Sequence, residues 1–341
     1  MIQSPARTTG VYGPIGFAPL DPVFFNDVMV TMVDVRSAPT INRVPTLSRR
    51  QLLIGVLGTV GFGATAQLLN SCSSGSNAAR ETVMPGLPDD VQLIPRFPGL
   101  LSPGAVRLPL SLANQKGLLT IDDGQQPDVL TAQLVNVDNG EVVADSLSAT
   151  KHANGLTIAY WPFRTEITKP GIYTLLVDGG PAEGLAIQIL PDSEVLVPRI
   201  GTSLPGFDTP TFDNHRGVEP ICTRTPQPCP FHDITLTEAL ATGKAVAYLV
   251  GTPAYCESGT CAPALEGLIT ASRKFGESII FIHSEIYIDN SATTIAPAVE
   301  ALKMTYEPAL FITNKQSIVT DRLDGVFDAD EIMERLSALV L

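Results

Sequence analysis

The chain has 341 residues, with 22 Lys and Arg against 35 Asp and Glu and a formal net charge of −13. An acidic balance of this size speaks against nucleic acid or an anionic lipid surface as the main partner, because both select clustered Lys and Arg. The length suits two domains, and 28 Gly with 28 Pro spread without period exclude a collagen-like repeat and indicate a turn-rich protein containing β-structure.

Near the N-terminus, Arg49-Arg50 precedes an uncharged stretch from Gln51 to Ser71. Gly55, Gly58, Gly61 and Gly63 would weaken that stretch as a permanent membrane helix, whereas a signal segment needs only a short apolar core behind a positive flank. Ser48-Arg49-Arg50-Gln51-Leu52-Leu53 resembles the twin-arginine export signal, and Leu69-Asn70-Ser71-Cys72 resembles the lipobox. The resemblance implies that Cys72 is lipidated and becomes the new N-terminus. A plain transmembrane helix with an Arg flank would put the rest of the chain on the same side. Residues 1–72 are therefore expected to be an extension plus signal, with Met29 and Met32 as alternative starts. The remainder is expected at the cell membrane, lipid-anchored and facing the extracytoplasmic side. Residues 73–90 are small and polar, as a flexible tether would be.

From 91 to 191 short alternating apolar runs predict strands over Val106–Leu112, Leu130–Val137, Leu156–Tyr160, Gly171–Val177 and Gly184–Leu190, the pattern of an antiparallel sandwich. Asn139-Gly140 predicts a tight hairpin turn with positive φ at both positions. Trp161, the single tryptophan, is expected in the core. Lys169-Pro170-Gly171-Ile172-Tyr173-Thr174-Leu175 resembles the penultimate strands of immunoglobulin-like extracytoplasmic domains, where a Pro-Gly turn leads into a strand whose Tyr packs across a corner.

Residues 192–243 carry too many prolines for continuous regular structure and read as a lead-in, closing on a short helix between Asp233 and Gly243. After it the pattern becomes strand and helix in alternation. Ala245–Val250 is a strand buried on both faces, Pro263–Phe275 a helix, Ser278–Tyr287 a strand, and Ile295–Leu302 a short helix. Ala309–Thr313 and Ser317–Leu323 are antiparallel strands, and Asp328 caps a closing helix. The alternation specifies an α/β region around a central sheet.

Setting Cys72 aside leaves four cysteines in two close pairs, Cys222 with Cys229 and Cys256 with Cys261. Cys256 and Cys261 lie where the buried strand gives way to a helix. Helix-terminal N–H groups and the positive end of the dipole lower a thiol's pKa there, and a second thiol nearby can resolve a mixed disulfide. The buried strand, the Cys pair with Pro263 two residues beyond, and Glu307-Pro308-Ala309 before the next strand together resemble the thioredoxin fold over about residues 195–341. The resemblance implies that Cys256 is the nucleophile, that Cys261 resolves, and that Pro308 is cis and lies beside the pair. It departs in having four residues between the cysteines where that family has two. Thr252-Pro253 ahead of Cys256 also resembles peroxiredoxins.

The segment Cys222 to Cys229 holds Pro226 and Pro228, with Pro230 just beyond, and is expected to be closed by a structural disulfide; a relay dithiol with His232 as proton acceptor, or a metal knuckle, are the alternatives. His283 is either a sheet residue or, with Cys256 and Cys261, the third ligand of a copper site. The expected whole is an immunoglobulin-like β-sandwich (91–191) followed by a thioredoxin-like α/β domain (192–341). Its expected activity is thiol-disulfide oxidoreduction on extracytoplasmic proteins bearing thiols or disulfides, with no cofactor and no nucleic acid. A binding or adaptor protein with structural disulfides and a copper carrier are the rival readings.

Overall fold

The computed structural model describes residues 90–340. Arg49-Arg50, the apolar stretch behind it, Cys72 and the tether up to residue 89 lie outside the described residues.

The first part is antiparallel. Strand β2 (Gly104–Asn114) pairs with β1 (Gln92–Pro95), β3 (Gly117–Leu118) and β6 (Trp161–Ile167). A second sheet runs β5 (Val142–Thr150), β4 (Val129–Asn136), β7 (Gly171–Val177) and β8 (Leu185–Ile189) in that order. Alternate residues Tyr173, Leu175 and Val177 of β7 and Leu185, Ile187 and Ile189 of β8 are buried, the period of strands with one solvated face. They share one core with Leu108, Leu110 and Leu112 of β2 and with Trp161 and Phe163 of β6. The Tyr173 hydroxyl donates to the Lys169 carbonyl (2.9 Å).

Two local expectations are corrected here. The strand placed over Leu156–Tyr160 lies instead at β6, where the polar run Arg164-Thr165-Glu166 between Phe163 and Ile167 obscures the period. The connection from β4 to β5 spans residues 137–141, and only Gly140 takes a positive φ (70°), so Asn139-Gly140 is not a two-residue hairpin turn.

Strand β2 is buried without a break from Val106 to Ala113, because its second face is covered as well. Arg107 on that face donates to both carboxylate oxygens of Glu331 (2.7 and 2.6 Å) and to the carbonyls of Asp324 (3.1 Å) and Val326 (2.6 Å). The Tyr160 hydroxyl adds a bond to Glu331 (2.7 Å), and Arg164 another (2.9 Å). Despite its burial Glu331 is held at a pKa of about 2, the Arg107 charge outweighing desolvation. Such a buried pair is strongly destabilising to break, so it clamps the antiparallel part to the C-terminal helix.

In the C-terminal part, β9 (Ala245–Val250) is buried at all six positions. Helix α2 (Cys261–Phe275) returns the chain to β10 (Ile279–Ser284), parallel to β9. β11 (Ala309–Thr313) lies antiparallel to β9 on its other side, and β12 (Val319–Asp324) closes the order β10-β9-β11-β12. One face carries α2 and α4 (Ala329–Val340); the core on the other face includes α1 (Leu236–Ala241) and α3 (Pro297–Ala301). Thr235 and Glu238 cap α1 reciprocally, and Asp328 accepts from the Glu331 N–H (2.9 Å) at the start of α4. The strand-helix-strand unit followed by a hairpin and a helix is a thioredoxin-like arrangement.

Candidate functional site

At the carboxyl end of β9 the chain turns at Gly251. A Cβ there would lie 3.2 Å from Pro308 Cβ and 3.4 Å from Cys261 Sγ, so glycine lets the loop pass between the two. The Glu307–Pro308 peptide is cis, and Pro308 stands beside Cys261 across Gly251.

The two thiols of this loop are not equivalent. Cys256 is half-buried and its Sγ lies 3.2 Å from the Ser258 hydroxyl. Its pKa is lowered to about 4, first by the neighbouring Cys261 side chain, then by Ser258 and the backbone N–H groups of Cys261 and Thr260 at the start of α2. Cys261 is buried, 1% exposed, and burial pushes its thiol well up, with the charges of Glu307 and Cys256 adding to the effect. Its S–H donates to Glu307 Oε2 (3.4 Å), which also accepts from the Thr252 N–H (3.3 Å). Burial, and then the Cys256 charge, raise Glu307 to about 7. Thr260 ties the loop down by donating to the Gly325 carbonyl (2.7 Å). Glu307 was not among the residues singled out from sequence; its position next to Pro308 was the available signal.

A cleft of about 130 Å³ opens beside the loop, between Ser258, Gly259, Thr260 and Pro263 on one wall and Gly155 and Leu156 from the antiparallel part on the other.

The second cysteine pair lies in a different place. Cys222 and Cys229 are buried, and the segment carrying them runs along β10: the His283 N–H donates to the Phe231 carbonyl (3.3 Å), and the Phe231 ring stacks on Phe281. Cys229 Sγ lies 3.3 Å from His232 Nε2 and 3.5 Å from His283 Nδ1. All four side chains can offer one donor atom each within 4.8 Å of one another; Cys256, Cys261 and Glu307 form a second such group. His283 thus stands with Cys222, Cys229 and His232 and not with Cys256 and Cys261, which corrects the copper set Cys256, Cys261 and His283. The reason is directional: His283 Nε2 is engaged by the Gly251 carbonyl (2.9 Å) and Nδ1 faces Cys229. All four cysteines of the described residues are free thiols, so the expected bond between Cys222 and Cys229 is not formed in this structure.

No protein-family model and no curated protein matches the chain. Among solved structures, a thiol:disulfide interchange protein of the thioredoxin family from Chlorobium tepidum TLS aligns at 12% identity and a TM-score of 0.31, covering 42% of this chain and 98% of that one.

Proposed function

We propose that this chain is an extracytoplasmic thiol-disulfide oxidoreductase acting on protein disulfides, held at the membrane by a lipid on Cys72. In this reading the working part divides into an immunoglobulin-like domain (91–191) and a thioredoxin-like domain (192–341). The Tyr173 to Lys169 bond across its corner supports the first assignment and the sheet order of the second part supports the other. The observation that carries the activity is the inequality of the two thiols around Glu307: one half-buried and acidic, the other buried and held protonated beside a carboxyl group that titrates near neutrality.

The chemistry follows from that inequality. The Cys256 thiolate attacks one sulfur of a substrate disulfide; the substrate S–S bond breaks, a substrate thiolate leaves, and a mixed disulfide forms. The Cys261 S–H then passes its proton to the Glu307 carboxylate, and its sulfur attacks Cys256 Sγ. The second substrate thiol is released and Cys256 and Cys261 are left joined, the protein having lost the two electrons the substrate gained. Run backwards, the same steps oxidise a substrate dithiol. The cleft between Ser258–Thr260 and Gly155, two residues along the loop from Cys256, gives an extended substrate segment a place to lie, with the antiparallel part supplying one wall.

Thiol trapping of the full chain across a glutathione series tests this reading. The Cys256–Cys261 pair should titrate between dithiol and disulfide and exchange with a mixed-disulfide substrate, and Cys256→Ser should remove both behaviours. A pair that stays in one state across the series and exchanges with nothing would overturn it.

A further inference from the structure

We infer that Cys222, Cys229, His232 and His283 form a buried tetrahedral site for a single zinc ion, separate from the dithiol.

The donor set is two sulfurs and two imidazole nitrogens, the S₂N₂ combination that tetrahedral zinc takes. The geometry is close to what the ion requires. With Zn–S of about 2.3 Å and Zn–N of about 2.0 Å, the S to N edge of a tetrahedron is about 3.5 Å. The two such edges at Cys229 measure 3.3 Å to His232 Nε2 and 3.5 Å to His283 Nδ1.

The surroundings orient the ligands as well. His283 donates Nε2–H to the Gly251 carbonyl, which leaves the Nδ1 lone pair aimed at the thiols; a metal-bound imidazole is held by an outer hydrogen bond of this kind. His232 presents Nε2, and its Nδ1 is buried with no hydrogen-bond partner, the Pro210 carbonyl facing the ring from outside hydrogen-bond geometry. Both imidazoles are 0% exposed, and Cys222 and Cys229 are 4% and 0% exposed, so water cannot complete the set.

The rival arrangement, a Cys222–Cys229 disulfide, removes both S–H donors and leaves two buried imidazole lone pairs facing sulfur that cannot donate to them. Leaving a buried polar group without a partner forfeits its hydration with nothing in return. Zinc satisfies all four donors at once: the two thiols release two protons, the two thiolates balance the divalent charge, and the site becomes neutral. With four protein ligands no position stays open, so the ion is structural. It would fasten the proline-rich segment, through Cys222, Cys229 and His232, to β10 through His283, joining residues 61 positions apart in the chain. Cys229-Pro230-Phe231-His232 has the close ligand spacing that a Cys-to-Cys reading passes over.

The test is metal analysis of the reduced full chain after exposure to zinc alone and gel filtration. One zinc per chain is expected, retained by the Cys256→Ser, Cys261→Ser double variant, and lost with about a hundredfold or greater drop in affinity in Cys222→Ser and in His283→Ala. Two measurements on the unmodified chain stand should those variants not fold. Cobalt(II) in place of zinc should give tetrahedral bands with charge-transfer intensity from two thiolates, and zinc should protect Cys222 and Cys229, but not Cys256, from alkylation in denaturant-weakened protein. A reduced chain that binds no zinc, zinc lost with Cys256 and Cys261 instead of Cys222, an octahedral cobalt spectrum, or an isolated Cys222–Cys229 disulfide in metal-free folded protein would each overturn the inference.

Discussion

The two cysteine pairs lie on either side of one residue, Gly251, whose carbonyl accepts from His283 and whose Cα passes against Cys261 and Pro308. They share that backbone, and in each pair one thiol is shifted down and the other up, yet they differ in exposure and in the groups they face. Cys256 is half-buried and stabilised as thiolate by hydrogen bonds. Cys229 is 0% exposed and faces two imidazoles. Exposure and the partner set, more than cysteine spacing, therefore decide what chemistry a thiol pair is open to.

Breaking the comparison outright takes one substitution. Cys256→Ser should abolish disulfide exchange, measured with a mixed-disulfide substrate, whereas Cys229→Ser should leave exchange within about tenfold wherever the chain stays folded, because only the former removes the attacking sulfur. If both lose exchange equally, the two pairs act as one relay and the contrast falls.

The next effect is in reactivity. At pH 6 Cys256 should react with iodoacetamide at least about a thousandfold faster than Cys229, whose reaction waits for an opening of the core. The Cys256 rate should be flat above about pH 5, since its thiolate forms at about 4. An ordinary thiol would rise about tenfold per pH unit in the same range. Rates that climb together would show that Cys256 has no such stabilisation.

Glu307→Gln sharpens the comparison within the dithiol. Removing the proton acceptor should slow resolution of the mixed disulfide by about a hundredfold while leaving the first attack unchanged, and the pH dependence of resolution near about 7 should vanish. Stability should move the other way. Because the folded state raises this carboxyl from 4.5 to about 7, the folded protein holds its proton more tightly, so the natural chain loses stability as pH rises through that window. The Gln variant should not, and urea midpoints at pH 4 and pH 8 compare the two.

The smallest expected effect reaches both pairs at once. Gly251→Ala would press a methyl group against Pro308 and Cys261, costing about 1–3 kcal/mol. It should change exchange rate and zinc affinity together, each by several-fold, and a change in one alone would deny that the shared backbone couples them.

Much of this architecture was legible from residue order. Ala245–Val250 is a run of apolar residues and is a strand buried at every position, and Asp328, expected to cap the closing helix, accepts from the Glu331 N–H at its start. Trp161 is in the core. Strand β6 was missed because Arg164, Thr165 and Glu166 disrupt its alternation, and Arg164 is on the side where Glu331 and Asp321 receive it. No local pattern announces that Asp321 and Glu331 will meet a strand residue 157 and 167 positions earlier.

The acidic balance, the order of strands and helices, and the position of Cys256 and Cys261 between a buried strand and a helix are all readable from residue order, because each depends on composition or on neighbours a few residues away. Long-range packing is what seals Cys261 against Glu307 while leaving Cys256 half-buried, and what brings His283 to Cys222, Cys229 and His232. The sheet governs both. The parallel register of β10 on β9 and the course of the proline-rich segment along β10 set which side chains meet, and hydrogen bonding to Gly251 sets which nitrogen of His283 faces them.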